Sequence, residues 1–130
     1  MDISDIGLFG LAEQRLAYLE QRQQVLAQNI ANADTPRWRP RDLRPFQAAL
    51  KQAGAGTLAQ TRSNHLGGSA PAAAAIDTAS RPDARAPDGN AVSIEDQLMK
   101  VADSESSQEL VTNLYQKYVG FFRLALGHGS

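Results

Sequence analysis

The sequence predicts a mainly α-helical chain, with long N- and C-terminal helices joined by an irregular, partly disordered middle that holds at most short β segments. Three observations carry this. Near the N-terminus, apolar and small residues recur in alternating steps of three and four. Near residue 93 a capping sequence opens a second such stretch. Between them lies a segment rich in Ala, Gly, Pro and Ser with few large apolar side chains. The expected divisions are 1–36, a heptad helix with its exit turn; 37–92, a basic loop and Ala/Gly/Pro-rich linker; and 93–130, a second heptad helix, together one structural domain.

In the first helix the seam runs through Phe9, Ala12, Leu16, Leu19, Gln23, Leu26, Ile30 and Ala33, interrupted only at Gln23. Glu13, Gln14, Arg15, Glu20, Gln21, Arg22 and Gln24 lie between these positions and are good helix formers that prefer water. So narrow a stripe calls for a partner helix more than for a globular core. A helix from Leu8 to Ala33 would span roughly 40 Å at the usual rise. The expected arrangement is a coiled-coil-like pair or bundle, formed by the two terminal helices with each other, with neighbouring subunits, or both.

The helix runs into QNIANADTPRWRPRDLRP, with Asn29 and Asn32 one turn apart and then Asp34, Thr35 and Pro36. Asparagine competes with the helix for backbone hydrogen bonds, and proline disfavours helix at the residue before it. An exit turn is expected here. Beyond it, Pro45 should open a brief helix over 45–50. The middle from Ala53 to Pro87 cannot bury enough surface to order itself, apart from a short extended piece at 57–61.

The C-terminal helix is announced by a turn at Asp88-Gly89 and by Ser93 with Asp96 three residues on, the spacing of a capping box. Ile94, Leu98 and Val101 form one seam, and Val111, Leu114, Tyr118, Phe121 and Ala125 form another. The two are out of phase across Asp103 to Ser107, a polar patch that marks either altered supercoiling or a flexible point.

With 13 basic and 14 acidic residues and a net charge of −1, the 130-residue chain lacks the basic excess of a dedicated nucleic-acid binder. Cysteine is absent, which excludes disulfides and thiolate chemistry. His65 and His128 stand apart from any ligand spacing, and Gly67-Gly68 precedes no apolar helix, so no metal, cofactor or phosphate site can be assembled. No enzyme activity is expected. Asp2 and Asp5 stand where a secretory signal needs basic residues, and no stretch has the apolar length of a membrane span. Arg37, Arg39, Arg41 and Arg44 around Trp38 suit either stacking on bases or a protein contact, and the balanced charge favours the protein. The aromatic row Tyr115, Tyr118, Phe121 and Phe122 has helical spacing and reads as packing.

The run from Gln28 to Pro36, closing a heptad helix, resembles the signature of bacterial flagellar axial proteins, the rod, hook and hook-associated subunits. Arg41-Asp42-Leu43, Thr61 with His65, and Asp88-Gly89-Asn90 with Val92 and Glu95 are similar to the short subunits of the proximal rod. The resemblance covers about the first 46 residues and the last 43. It departs at Arg37-Trp38, where that family carries Gly-Tyr, and at Ser107-Gln108-Glu109, where relatives show an aromatic. The resemblance implies a structural subunit exported through the flagellar type III channel without a cleaved signal. Terminal helices would order as it joins a helical tube in the periplasm that transmits torque from motor to hook. It further implies contacts with copies of itself and other rod proteins, and with FliE and the membrane-ring and export-gate side at the rod base. Phe9, Leu16, Leu19, Leu26, Ile30, Leu98, Val101, Val111, Leu114, Tyr118 and Phe121 would be the packing seam; Asn29, Asn32, Asp34, Thr35 and Pro36 the signature turn; and Arg37, Trp38, Arg39 and Arg41 an inter-subunit loop. A small helical adaptor or export chaperone of the flagellar system is the alternative.

Overall fold

The computed structural model describes residues 7–55, 76–77, 89 and 91–127, with side chains over 7–51, 89 and 91–127. Helix α1 spans Gly7–Ala31, α2 Phe46–Ala55 and α3 Ile94–Gly127. Two short strands, β1 (Asp42–Leu43) and β2 (Ile76–Asp77), pair antiparallel, with Leu43 opposite Ile76. His65, His128, the Thr57–Thr61 piece and most of the Ala-rich middle lie outside the described residues. The mainly helical fold with long terminal helices is as the sequence predicts.

Helices α3 and α2 each start for a local reason. Ser93 caps α3: its Oγ accepts from the Asp96 N–H at 3.3 Å and its carbonyl accepts from the Gln97 N–H at 3.1 Å. The Pro45 carbonyl accepts from the amides of Ala48 and Ala49, and α2 runs five residues past its expected end. The turn before α3 uses Gly89 at φ 80°, a conformation that glycine adopts without Cβ strain.

Helices α1 and α3 pack antiparallel: Phe9 meets Tyr115 and Phe122 near the C-terminal end of α3, and Asn29 meets Gln97 near its start. The ring centroids lie 5.1 and 5.6 Å apart, and the Phe9–Tyr115 pair is edge-on. A second cluster, Tyr18, Leu19, Val25 and Leu43, gathers Phe46 and Ala49 against the other side of α1. Thus α1 is held between α3 and the loop segment, which buries Phe9, Leu19 and Leu26 almost completely.

The polar patch at Asp103 to Ser107 does not interrupt α3, which continues through it as one helix. Ser104 is fully buried at that point, and its Oγ donates to the Lys100 carbonyl at 2.9 Å. The patch belongs to the helix–helix contact, opposite the polar residues of α1.

Candidate assembly site

The two signature asparagines do different work. Asn32 Nδ2 donates to the Gln28 carbonyl at 2.8 Å, and its Oδ1 accepts from the Thr35 hydroxyl at 3.0 Å. These bonds, with Thr35 N–H to the Asn32 carbonyl at 3.0 Å, close the helix end. Asn29 turns inward and is fully buried. Its Nδ2 donates to the Arg41 carbonyl at 2.6 Å and to Gln97 Oε1 at 2.8 Å, and its Oδ1 accepts from the Arg41 N–H at 2.9 Å. One amide side chain therefore joins α1, the exit loop and α3, and satisfies both main-chain groups of Arg41. The sequence signalled an unusual residue at 29; it gave no sign of which distant groups it meets.

A charged cluster lies one to two turns away. Arg22 donates from Nε to Asp42 Oδ1 at 3.0 Å and from Nη2 to Oδ2 at 3.3 Å, while Nη1 reaches Asp103 Oδ2 at 3.2 Å and Ser104 Oγ at 3.3 Å. Lys100 Nζ approaches Asp42 Oδ2 at 3.4 Å. Burial alone would push the Asp42 carboxyl up, but the bonds from Arg22 and the Leu43 N–H, with the charges of Arg22 and Lys100, hold it below the usual value. The Arg22 guanidinium is raised, chiefly by its bond to Asp42. Burial raises Tyr18, whose hydroxyl donates to the Arg44 carbonyl at 2.8 Å. Gln23, the one break in the α1 seam, donates across to Gln108 at 3.1 Å. Sequence periodicity missed this cluster because it scores apolar rows, and Arg22, Gln97 and Ser104 are polar residues on the inward row.

The expected seam divides. Phe9, Leu19 and Leu26 are buried inside the chain; Leu16, Ile30, Val101 and Val111 are half-buried. Leu98, Leu114, Tyr118 and Phe121 face solvent, together with Leu110 and Leu124. The inward row of α3 runs instead through Gln97, Ser104, Val111, Tyr115 and Phe122.

In the exit loop Asp34, Thr35 and Pro36 are exposed. Arg37 sits at φ 62°, the left-handed conformation that the glycine of the flagellar pattern would take freely. For an arginine this costs about 1 kcal/mol. Trp38 is half-buried beneath Arg41, whose guanidinium lies 5.0 Å from the ring centroid, and the buried Trp38 Nε1 has no hydrogen-bond partner among the described residues. Ala91 N–H donates to the Trp38 carbonyl at 3.2 Å and ties the loop to the approach of α3. Among the described residues no group of three His, Cys, Asp or Glu could hold a metal ion, and no helix is long and apolar enough to cross a membrane.

A family profile described as "Flagella basal body rod protein" matches residues 11–39, which cover most of α1 and its exit turn. The chain is 35% identical over 99 residues to the flagellar basal body rod protein FlgB of Salmonella typhimurium, covering 69% of this chain and 71% of that one. It belongs to the FlgB family of flagellar basal body rod proteins. The FlgB of Cereibacter sphaeroides is 36% identical over 73% of this chain and 74% of its own length. That of Agrobacterium fabrum is 42% identical over 66 residues, a match spanning 47% of that relative. Members of the FlgB family are structural rod subunits, and the contacts described above join α1, the exit loop and α3 into one framework.

Proposed function

We propose that this chain is a subunit of the proximal rod, assembling through its terminal helices into a helical tube that transmits torque from motor to hook. The observation that carries the reading is the outward row of α3. Leu110, Leu114, Tyr118 and Phe121 are 39 to 61% exposed on one side of a helix whose other side is already packed on α1. An apolar row of this kind leaves water when another helix covers it. A contact between unlike faces of identical chains repeats without closing, and such repetition makes a helical array.

In this reading the turn from Asn29 to Pro36 marks where the wall-forming helix ends, and Arg37, Trp38, Arg39 and Arg41 form a loop toward the next subunit. The neighbours are copies of this chain and other rod proteins, with FliE and the membrane-ring and export-gate side at the base. Delivery is through the flagellar type III export channel into the periplasm, and the role is structural, without catalysis or cofactor.

The test is recovery of the chain with hook-basal bodies after detergent and alkaline washing, read by mass spectrometry. The wild-type chain is expected at a fixed ratio to other rod proteins, and Leu114→Asp is expected to be exported yet missing from the rod. A wild-type chain that washes away and forms a discrete dimer in the cytoplasm would make it an adaptor or export chaperone.

A further inference from the structure

The exit loop holds its main chain firmly and leaves three guanidinium groups outside. The Trp38 carbonyl is bonded to Ala91, both main-chain groups of Arg41 to Asn29, the Asp42 carboxylate to Arg22 and Lys100, and the Arg44 carbonyl to Tyr18. Arg41 is spent on Trp38. Arg37, Arg39 and Arg44 are exposed, and among the described residues none has an ion-pair partner. Arg37 is displayed from a left-handed backbone that L-residues avoid, so its side chain is kept against a local cost.

The same chain carries the complement of this patch. Residues 94–116 contain Glu95, Asp96, Asp103, Glu105 and Glu109 against one base, Lys100. Lys100 is turned toward Asp42, and Asp103 is taken by Arg22. Glu95, Glu105 and Glu109 remain exposed, and with Leu98 and Ala102 they form one helical row in steps of three and four. That row lies roughly 120° around the helix from Gln97 and Ser104, which face α1. No ion pair joins it to the loop arginines of its own chain among the described residues.

From this juxtaposition we infer that Arg37, Arg39 and Arg44 of one copy dock on the Glu95, Glu105 and Glu109 row of a second copy. The inference rests on the assembly reading above and adds a specific contact to it. Arginine's planar fork takes carboxylates two bonds at a time. Two complementary surfaces on different elements, not paired with each other among the described residues, give a head-to-tail contact that propagates. A net charge of −1 supplies no general attraction for a polyanion such as nucleic acid.

The absence of cysteine allows a clean cross-linking test. Copies carrying Arg39→Cys and Glu105→Cys are co-expressed, and isolated hook-basal bodies are oxidised with copper phenanthroline. A covalent dimer is expected from that pair, and roughly tenfold less when Glu13→Cys, an exposed carboxylate position on α1, replaces Glu105→Cys. Equal cross-linking at both positions overturns the proposal. Independently, Arg37→Glu with Arg39→Glu should lower incorporation by roughly tenfold, and Glu105→Arg with Glu109→Arg in the same chain should restore it. Unchanged incorporation of the reversed chain, with Leu114→Asp still excluded, removes this contact and leaves the rod reading standing. Loss of incorporation without rescue, accompanied by arginine-dependent binding of the wild-type chain to phosphatidylglycerol vesicles, assigns the loop to a lipid surface and also overturns it.

Discussion

Where the end of α1 meets the start of α3, the contact is polar and saturated: Asn29 with Gln97 and Arg41, Arg22 with Asp42, Asp103 and Ser104. Where the start of α1 meets the end of α3, it is aromatic, and the far side of α3 is left apolar and exposed. Apolar burial is non-directional and tolerates sliding, whereas paired hydrogen bonds fix one register. The contrast fixes register at one end of the helix pair and leaves an exposed apolar surface at the other.

The strongest way to break this contrast is to substitute one residue at each end. Asn29→Ala leaves the Arg41 main-chain groups and Gln97 without their partner in a buried place and should destabilise the chain by about 3 kcal/mol. Phe121→Ser should stay within about 0.5 kcal/mol, since the side chain is exposed in the single chain. Urea unfolding followed by circular dichroism reads both, and equal losses would erase the distinction.

Acid should act on the polar end. The Asp42 carboxyl is held below its usual value in the folded chain, so its contribution is fully present above the unfolded value of about 4 and is lost as pH falls through the lower folded value. Thermal stability should therefore drop below about pH 4. Asp42→Asn should cost about 2 kcal/mol at neutral pH and flatten that acid limb. An acid limb unchanged in Asp42→Asn would place its origin elsewhere.

A small effect of opposite sign is expected at the exit loop. Arg37→Gly relieves the left-handed strain but frees the unfolded chain, for a net gain of about 0.5 kcal/mol. A lower melting temperature in that variant would show that the Arg37 side chain stabilises its own loop.

The two terminal helices were legible because the signals that set them are local: a heptad row in α1 and the Ser93 cap of α3. The inward face of α3 was not. Beyond Leu110 that helix is apolar around much of its circumference, so Val111–Tyr115–Phe122 and Leu114–Tyr118–Phe121 satisfy helical spacing equally well. The choice between them is made by Phe9, on another element. Likewise Asn29 was visible as an anomaly within its own helix, yet Arg41 and Gln97 are 12 and 68 residues away. Arg37 poses the reverse problem: the sequence marks it only as a departure from the family's Gly, and the bonds at Thr35, Trp38 and Arg41 hold its left-handed φ from both sides.

The two-point grip of Asn29 on Arg41 also bears on accuracy. An amide that meets both main-chain groups of one residue denies that residue any slip along the helix, since an offset of one step would break both bonds together. In the helical array proposed above, an offset between loop and helix end that the fold allowed would recur in every copy, so it would add along the array instead of averaging out. A buried asparagine at this junction is a length standard carried inside each copy.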